Sequence, residues 1–315
     1  MQVYLTVDVE LWPNSWNGYR TQFTDCFRRY ILGETSAGRY GLQFQLDMLK
    51  EYDLKGVFFV ESLFACEFGI SPLQEILSMI LDAGQEVQVH AHPEWVVHMP
   101  EPFVEPHGRY TLGQFNRAEQ HQLISEARNN IVAAGVASPT TFRSGSFSAD
   151  KNTLLAATDN GFTIDSSLNP VRAACREEFG LLQEPALLGE ILEFPLTIYE
   201  DWPGHRRHLQ VAATSFGEFQ DLLDVARNNG AEHLVMLSHS AELLDAKRRR
   251  CDHIAVRRFE KMCEHLALNR DKYATSHFGS VPNDLRPTTN IPLAQVQWNA
   301  VVGRIAQQSL RRIFY

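Results

Sequence analysis

Residues 41 to 60 read GLQFQLDMLKEYDLKGVFFV, a helical stretch from Gly41 to Tyr52 followed by the apolar run Gly56-Val57-Phe58-Phe59-Val60. Another apolar run, Val3 to Val7, precedes it, so the chain begins β, α, β. Outward from there the alternation continues. Ser71 and Pro72 mark a helix start as N-cap and N1 proline, Leu73, Ile76, Leu77 and Ile80 recur at helical spacing, and Gly84 stops it. A strand is expected over Glu86 to His92, then a proline-rich loop from Pro93 to His107. A long helix follows from Leu112 to Ala134, ended by Gly135, and then a strand from Thr140 to Arg143. Beyond these the pattern gives a helix from Asp150 to Asp159, strands over Phe162 to Asp165 and Ile191 to Tyr199, a helix from Phe216 to Asn229 and a strand from Leu234 to Ser238. Such alternation predicts a parallel sheet covered by helices. About seven strands suit a closed or nearly closed barrel, and an open doubly wound sheet writes the same one-dimensional pattern.

At 315 residues, with 44% hydrophobic and 21% charged, the chain can bury one large core, and no Pro/Gly/Ser-rich linker divides it. The expectation is a single α/β domain: a barrel over residues 1–280 and a C-terminal helical segment over 281–315. That segment is apolar at helical spacing through Leu293, Val296, Trp298, Val301, Val302, Ile305 and Leu310, and should pack on the barrel or at a dimer interface. The formal net charge is −9, and the one basic run, Lys247 to Arg250, reads as the solvated face of a helical stretch, so nucleic-acid binding has little support. Five cysteines without a CxxC pair argue against both a disulfide framework and a thiolate zinc site, and point to a reducing compartment. Met1 to Asp8 lacks a basic n-region and a long apolar h-region, and no segment approaches the roughly 20 apolar residues of a membrane span. A soluble, cytoplasmic protein is expected.

Polar residues cluster where four predicted strands end: Asp8-Val9-Glu10, His90-Ala91-His92-Pro93-Glu94, Arg143-Ser144-Gly145 and Ser238-His239-Ser240. In parallel β/α folds ligands bind at the carboxyl ends of strands. A carboxylate at the end of a first strand is as often a helix cap or an arginine partner, and two alternating histidines can share a face merely to hydrogen-bond. Their joint occurrence at strand ends favours a site. Two carboxylates and two histidines suit zinc or another divalent first-row metal.

On these residues the chain resembles the polysaccharide deacetylase family, the NodB-homology group, over about Met1 to Ser240. Leu5-Thr6-Val7-Asp8-Val9-Glu10 looks like the family's first motif, which would make Asp8 the catalytic base and Glu10 a metal ligand. Gly84 to Pro93 looks like the second, which usually carries two metal-binding histidines four residues apart. Counting from Gly84 places the first at His90 and puts Glu94 at the second, whereas counting back from Pro93 makes His92 the second. His90 and His92 are the preferred ligands, with Glu94 as the substitute. Thr141 to Phe147 resembles the third motif, whose arginine, here Arg143, orients the base. Val235-Met236-Leu237-Ser238-His239 resembles the last, whose histidine, His239, is the general acid. Gly161 to Ser167 partly matches the region in which an acidic residue, here Asp165, supports that histidine.

The resemblance implies a distorted (β/α)7 barrel, a divalent metal, zinc first, and hydrolysis of an N-acetyl group from an amino sugar or glycan precursor. Alternatives are an allantoinase-like hydrolase of a small non-peptide amide and an inactive glycan-binding barrel. Retention of Asp8, Arg143 and His239 together disfavours the second, because a binder needs neither base nor acid. Trp95 to His107 and Tyr199 to His208, rich in Trp, Pro, His and Arg, are candidates for a sugar-binding rim or packed loops. His98, His107, His205 and His208 read as surface or supporting residues. Ser144 and Ser146 lack a GxSxG elbow, so a serine triad fits poorly.

Overall fold

Gln2–Val9 is a strand buried from Val3 onward, and it pairs in parallel with His233–His239 so that Asp8 lies opposite His239. A run apolar on both faces is what a parallel strand needs, because both of its faces are covered. The computed structural model describes residues 1–282, 285 and 291–314, apart from the side chains of 310 and 312–314. It divides into two units, one of Met1–Gly56, Leu196–His277 and Thr288–Tyr315, the other of Val57–Pro195 and Phe278–Pro287.

In the first unit Ala274–Thr275 also pairs in parallel with Gln2–Val9. Helices Leu42–Glu51, Phe216–Asn228 and His253–Leu268 bury apolar faces there. Ser215 and Glu218 start the second of these with a reciprocal capping box, and Asp252 caps the third by accepting from the amides of Ile254 and Ala255. Periodicity alone missed this third helix, and also the helix Tyr19–Phe27 with its continuing turn Arg28–Leu32. The basic run Lys247 to Arg250 is not helical; it is a loop held by Asp245, whose Oδ1 accepts from the amides of Arg249 at 2.8 Å and Arg250 at 3.2 Å. A short hairpin, Glu34–Thr35 with Gly38–Arg39, closes where Gly33 meets Gly41. A Cβ on Gly33 would lie 2.2 Å from the Gly41 nitrogen, and Gly33 has φ 60°, so glycine is required twice over.

The second unit carries Gly56–Glu61, which begins at the boundary, then Glu86–Ala91, Thr141–Ser144, Ile164–Asp165 and Ile191–Glu193, each parallel to the next, with Ala186–Leu188 antiparallel at the end. The helix expected to open at Ser71 opens at Ile70 behind Gly69, so Pro72 falls in the first turn, where its missing N–H removes no helical bond. The helix expected from Leu112 is broken into a short 3-10 turn, Leu112–Gln114, and the helix Arg117–Ala133, because Asn116 and Glu119 form a capping box of their own. The strand expected over Ile191 to Tyr199 is two strands. Pro195 cannot donate to a ladder, and the chain resumes as Ile198–Trp202, antiparallel to His205–His208 in the first unit.

The C-terminal helix is shorter than expected, Trp298–Phe314, while Gln295 and Val296 lie extended along Glu200. Its apolar stripe is split: Val301 is buried, whereas Trp298, Val302 and Ile305 are exposed at 60%, 47% and 43%. Leu310, also counted in the stripe, has a side chain outside the described residues. What anchors the helix is Arg304, buried with Nη2 2.6 Å from Asp201 Oδ2 and Nε 2.8 Å from Glu218 Oε1. It packs on Phe216–Asn228, the Ser215 hydroxyl donating to the Ala300 carbonyl at 3.3 Å.

In the second unit Asp165 and Glu193 face each other across the ladder, both fully buried. Asp165 accepts from the Ser167 amide and hydroxyl at 2.8 Å each, and Glu193 Oε1 accepts from the Leu168 amide at 3.0 Å. Glu193 Oε2 has no donor, as expected of an oxygen that itself carries a proton and gives it to Asp165. Burial raises both carboxyls, and the Asp165 charge raises Glu193 further, well above the ordinary carboxylate range. A folded pKa raised above the unfolded one gives stability that is complete below about 4.5 and is lost as pH rises toward the folded value, because the unfolded chain then releases a proton that the folded chain keeps.

Two outcomes follow from this packing. Arg304→Ala, which takes the buried arginine from two buried carboxylates, should cost about 3 kcal/mol in urea unfolding; a loss under about 0.5 kcal/mol would mean that the helix is held by something else. Glu193→Gln keeps a donor for Asp165 and has no proton to lose, so its stability relative to the parent should climb with pH above about 4.5. Parallel pH profiles for the two proteins would rule out the shared proton.

Candidate active site

His239 ends the strand His233–His239 in the first unit, opposite Asp8 at the end of Gln2–Val9. Its Nδ1 donates to Glu242 Oε2 at 2.8 Å, and its Nε2 lies 3.5 Å from Glu10 Oε1. Asp8, Glu10 and His239 each bring one possible ligand atom within 4.8 Å of the others. Asp8 is almost fully buried. Burial disfavours the charged imidazole, but the hydrogen bond and charge of Glu242, with the charges of Glu10 and Asp8, outweigh it and raise His239 to about 9.

Glu242 is held in turn. Its Oε1 accepts from the Ala212 amide at 2.8 Å and from Gln210 Nε2 at 3.0 Å, and the side-chain oxygen Gln210 Oε1 lies 2.9 Å from His208 Nε2. Burial raises this carboxyl, yet the His239 bond and charge leave it below the ordinary carboxylate range. A neutral-pH imidazolium fixed by an ionised carboxylate is an arrangement able to give up a proton at Nε2. A cavity of about 290 Å³ opens here, lined by Glu10, Trp12, Tyr30, Gln210, His239 and Glu242 among others. Trp12 donates from Nε1 to Glu10 Oε2 at 2.6 Å and stands edge-on to Trp16.

In the second unit His90 and His92, both buried, project from the end of Glu86–Ala91. His90 Nδ1 lies 2.8 Å from the Arg143 carbonyl oxygen, and His92 Nδ1 lies 3.3 Å from Glu94 Oε2. Both partners only accept, so both Nδ1 atoms carry the proton and both Nε2 atoms present lone pairs. Those two Nε2 atoms stand 3.1 Å apart. Two facing lone pairs repel unless a proton or a cation lies between them, and tetrahedral zinc with bonds of about 2.0 to 2.1 Å sets its nitrogens at about this separation. Glu94 thus meets His92 at Nδ1, on the ring nitrogen away from the His90 contact.

The seat of this pair is shaped by Gly145: a Cβ there would lie 2.6 Å from His92 Nδ1 and 2.7 Å from the Ala91 carbonyl oxygen. Ser146 and Phe147 follow with φ of 56° and 50°, strained values for side-chain-bearing residues. Glu61, paired opposite His90 in the ladder, accepts from the amides of Leu63 at 2.7 Å and His92 at 3.5 Å. Its complete burial pushes this carboxyl up to about 8. Arg143 is fully buried, its guanidinium carbon 3.9 Å from the centroid of the Phe59 ring, with Nε donating to the Ser166 carbonyl at 2.9 Å and Nη2 to the Ser166 hydroxyl at 2.9 Å. Asp165, assigned by resemblance to support His239, is bonded to Ser167 and paired with Glu193, and the carboxylate on His239 is Glu242.

Sequence reasoning missed Glu242, Gln210, Trp12, Tyr30 and Glu61. Only Glu242 left a local signal, since it follows His239 by three residues. Of the expected rim aromatics, Trp95 is buried, set edge-on against Phe64 and Phe68, and is core. Trp202 is exposed beside His205 and Trp298, and His98 stacks on Tyr110.

The family model for polysaccharide deacetylase matches residues 43–164. No curated protein matches the chain in sequence. A structure from Mycobacterium smegmatis, assigned provisionally as a polysaccharide deacetylase, is similar at 17% identity with TM-score 0.52, covering 90% of this chain and 94% of that one. A family 4 carbohydrate esterase from Streptomyces lividans, solved with acetate, gives 13% identity and TM-score 0.45 over 88% and 92% of the two chains. The first likeness is one of fold, the α/β deacetylase barrel that the motifs implied. The family match carries the His90 and Arg143 motifs inside it, so residues 43–164 are similar to the polysaccharide deacetylase, or NodB-homology, domain that those motifs resemble.

Proposed function

We propose that this protein is a metal-dependent hydrolase that removes the N-acetyl group of an amino sugar or glycan precursor. The observation that carries the reading is the histidine pair: two buried imidazoles anchored through Nδ1, with their Nε2 atoms 3.1 Å apart, are a donor set that one cation can bridge. His90 and His92 would hold the metal with Glu10, the ligand that the family resemblance assigns. Soft thiolates are absent from these ligands, so a borderline metal such as zinc suits them.

When bound, the metal supplies Lewis acidity at the acyl oxygen and lowers the pKa of water from about 15.7 toward about 7. Asp8 takes the proton of the attacking water on its carboxylate. The family resemblance gives Arg143 the role of orienting that base. The amine is too basic to leave as an anion, so His239 delivers a proton from Nε2 to the departing nitrogen while Glu242 steadies the imidazole through Nδ1. Trp12, at the cavity wall, offers an indole face of the kind that stacks on a pyranose.

Elemental analysis of the purified protein should find roughly one zinc, cobalt or nickel per chain, lost in His90→Ala. In Gly145→Ala, whose Cβ crowds His92, the affinity should fall about tenfold to a hundredfold. Asp8→Asn should keep the metal and lower kcat for N-acetylated sugar hydrolysis by about 10² to 10⁴. A protein that takes up no metal on reloading would overturn the mechanism; metal without hydrolysis of any acetamido sugar would overturn the substrate.

A further inference from the structure

The basic run Lys247 to Arg250 has no part in the chemistry above, yet its loop is shaped. Arg248 has φ 55°, a left-handed value that side-chain-bearing residues rarely adopt. Asp245, buried and ionised, holds the loop through the amides of Arg249 and Arg250, and the Asp245 carbonyl accepts from the Arg248 amide at 2.9 Å. So held, Arg248 and Arg249 line a cavity of about 460 Å³ together with Arg28, Arg29 and Arg39.

Two carboxylates, Asp25 and Glu34, line it with those five arginines, so the balance is positive in a chain whose net charge is −9. Glu34 is shared by Arg28 at 2.6 Å and Arg39 at 2.9 Å, and Asp25 takes Arg29 at 2.8 Å. Among the described residues neither Arg248 nor Arg249 has a carboxylate partner, and Arg248 Nε is buried without any acceptor. Arg248 also lines the His239 cavity, where the guanidinium carbons of Arg248 and Arg29 each stand 5.6 Å from the centroid of the Tyr30 ring.

We propose that this arginine-lined cavity is a phosphate subsite, and that the acetamido sugar processed at His239 carries a phosphoryl or diphosphoryl group seated there. The substrate clause rests on the deacetylase reading; the anion site does not. Guanidinium forks bind phosphate oxygens two at a time. A concave wall focuses their field on one ligand, whereas a nucleic-acid surface would need a continuous stripe. The volume exceeds what one carboxylate fills and lies within the range of small-ligand sites.

Calorimetric titration of the metal-loaded protein with pyrophosphate at low salt tests the site. Binding should weaken about tenfold in Arg249→Gln and again in Arg28→Gln, fade with added salt, and persist in His90→Ala. Binding lost in His90→Ala but untouched by the arginine variants would mean capture by the active-site metal and would overturn the subsite. On the catalytic side, kcat/KM for N-acetylglucosamine 1-phosphate should exceed that for N-acetylglucosamine, and Arg249→Gln should reduce the ratio about tenfold. Hydrolysis of both sugars at equal rates overturns the phosphate preference and leaves the deacetylase reading standing. Arginine-dependent pyrophosphate binding without hydrolysis of either sugar does the reverse.

Discussion

Parallel pairing of Gln2–Val9 with His233–His239 sets Asp8 beside His239, and much of the first unit's chemistry depends on that register. Because successive side chains alternate between faces, a slip of one residue would turn Asp8 away and bring an apolar neighbour into its place. The ladder resists slipping since nearly every residue in it is buried. Rigid, apolar strands thus end in polar groups that stand at fixed separations.

Those polar groups are costly to bury, and each unit meets the cost by pairing. In the first, Glu242 remains ionised only because His239, Gln210 and the Ala212 amide surround it, and its charge in turn keeps His239 protonated. In the second, Asp165 and Glu193 share a proton across the ladder, and Glu61 is pushed up to about 8 by burial. The histidine pair is held through Nδ1, His90 on the Arg143 carbonyl and His92 on Glu94, with the two Nε2 atoms 3.1 Å apart.

Much of the fold was legible because helix and strand periods are local. The runs that became Gln2–Val9, Gly56–Glu61, Glu86–Ala91 and His233–His239 were each visible as apolar segments ending in polar residues. Boundaries failed where a cap or a proline acts: Asn116 restarts a helix, and Pro195 cuts a strand into segments that belong to different units. The C-terminal stripe misled because Arg304, a charged residue, turned out to be an anchor, while Trp298 and Ile305 stayed in solvent. Glu193 could have been suspected, since an acid inside Ile191 to Phe194 interrupts an otherwise apolar run.

By itself the sequence determined the alternation of strands and helices, the placement of Asp8, His90, His92, Arg143 and His239 at strand ends, and the family to which they point. Those properties reside in backbone periodicity and in residue type, which are readable over a few positions. Tertiary structure decided that Glu242 bonds His239, that Trp95 is core, and that Arg28, Arg39 and Arg249 face one cavity. Arg28 and Arg39 meet Arg249 only when a loop of some two hundred residues closes, and that leaves no trace in any local pattern.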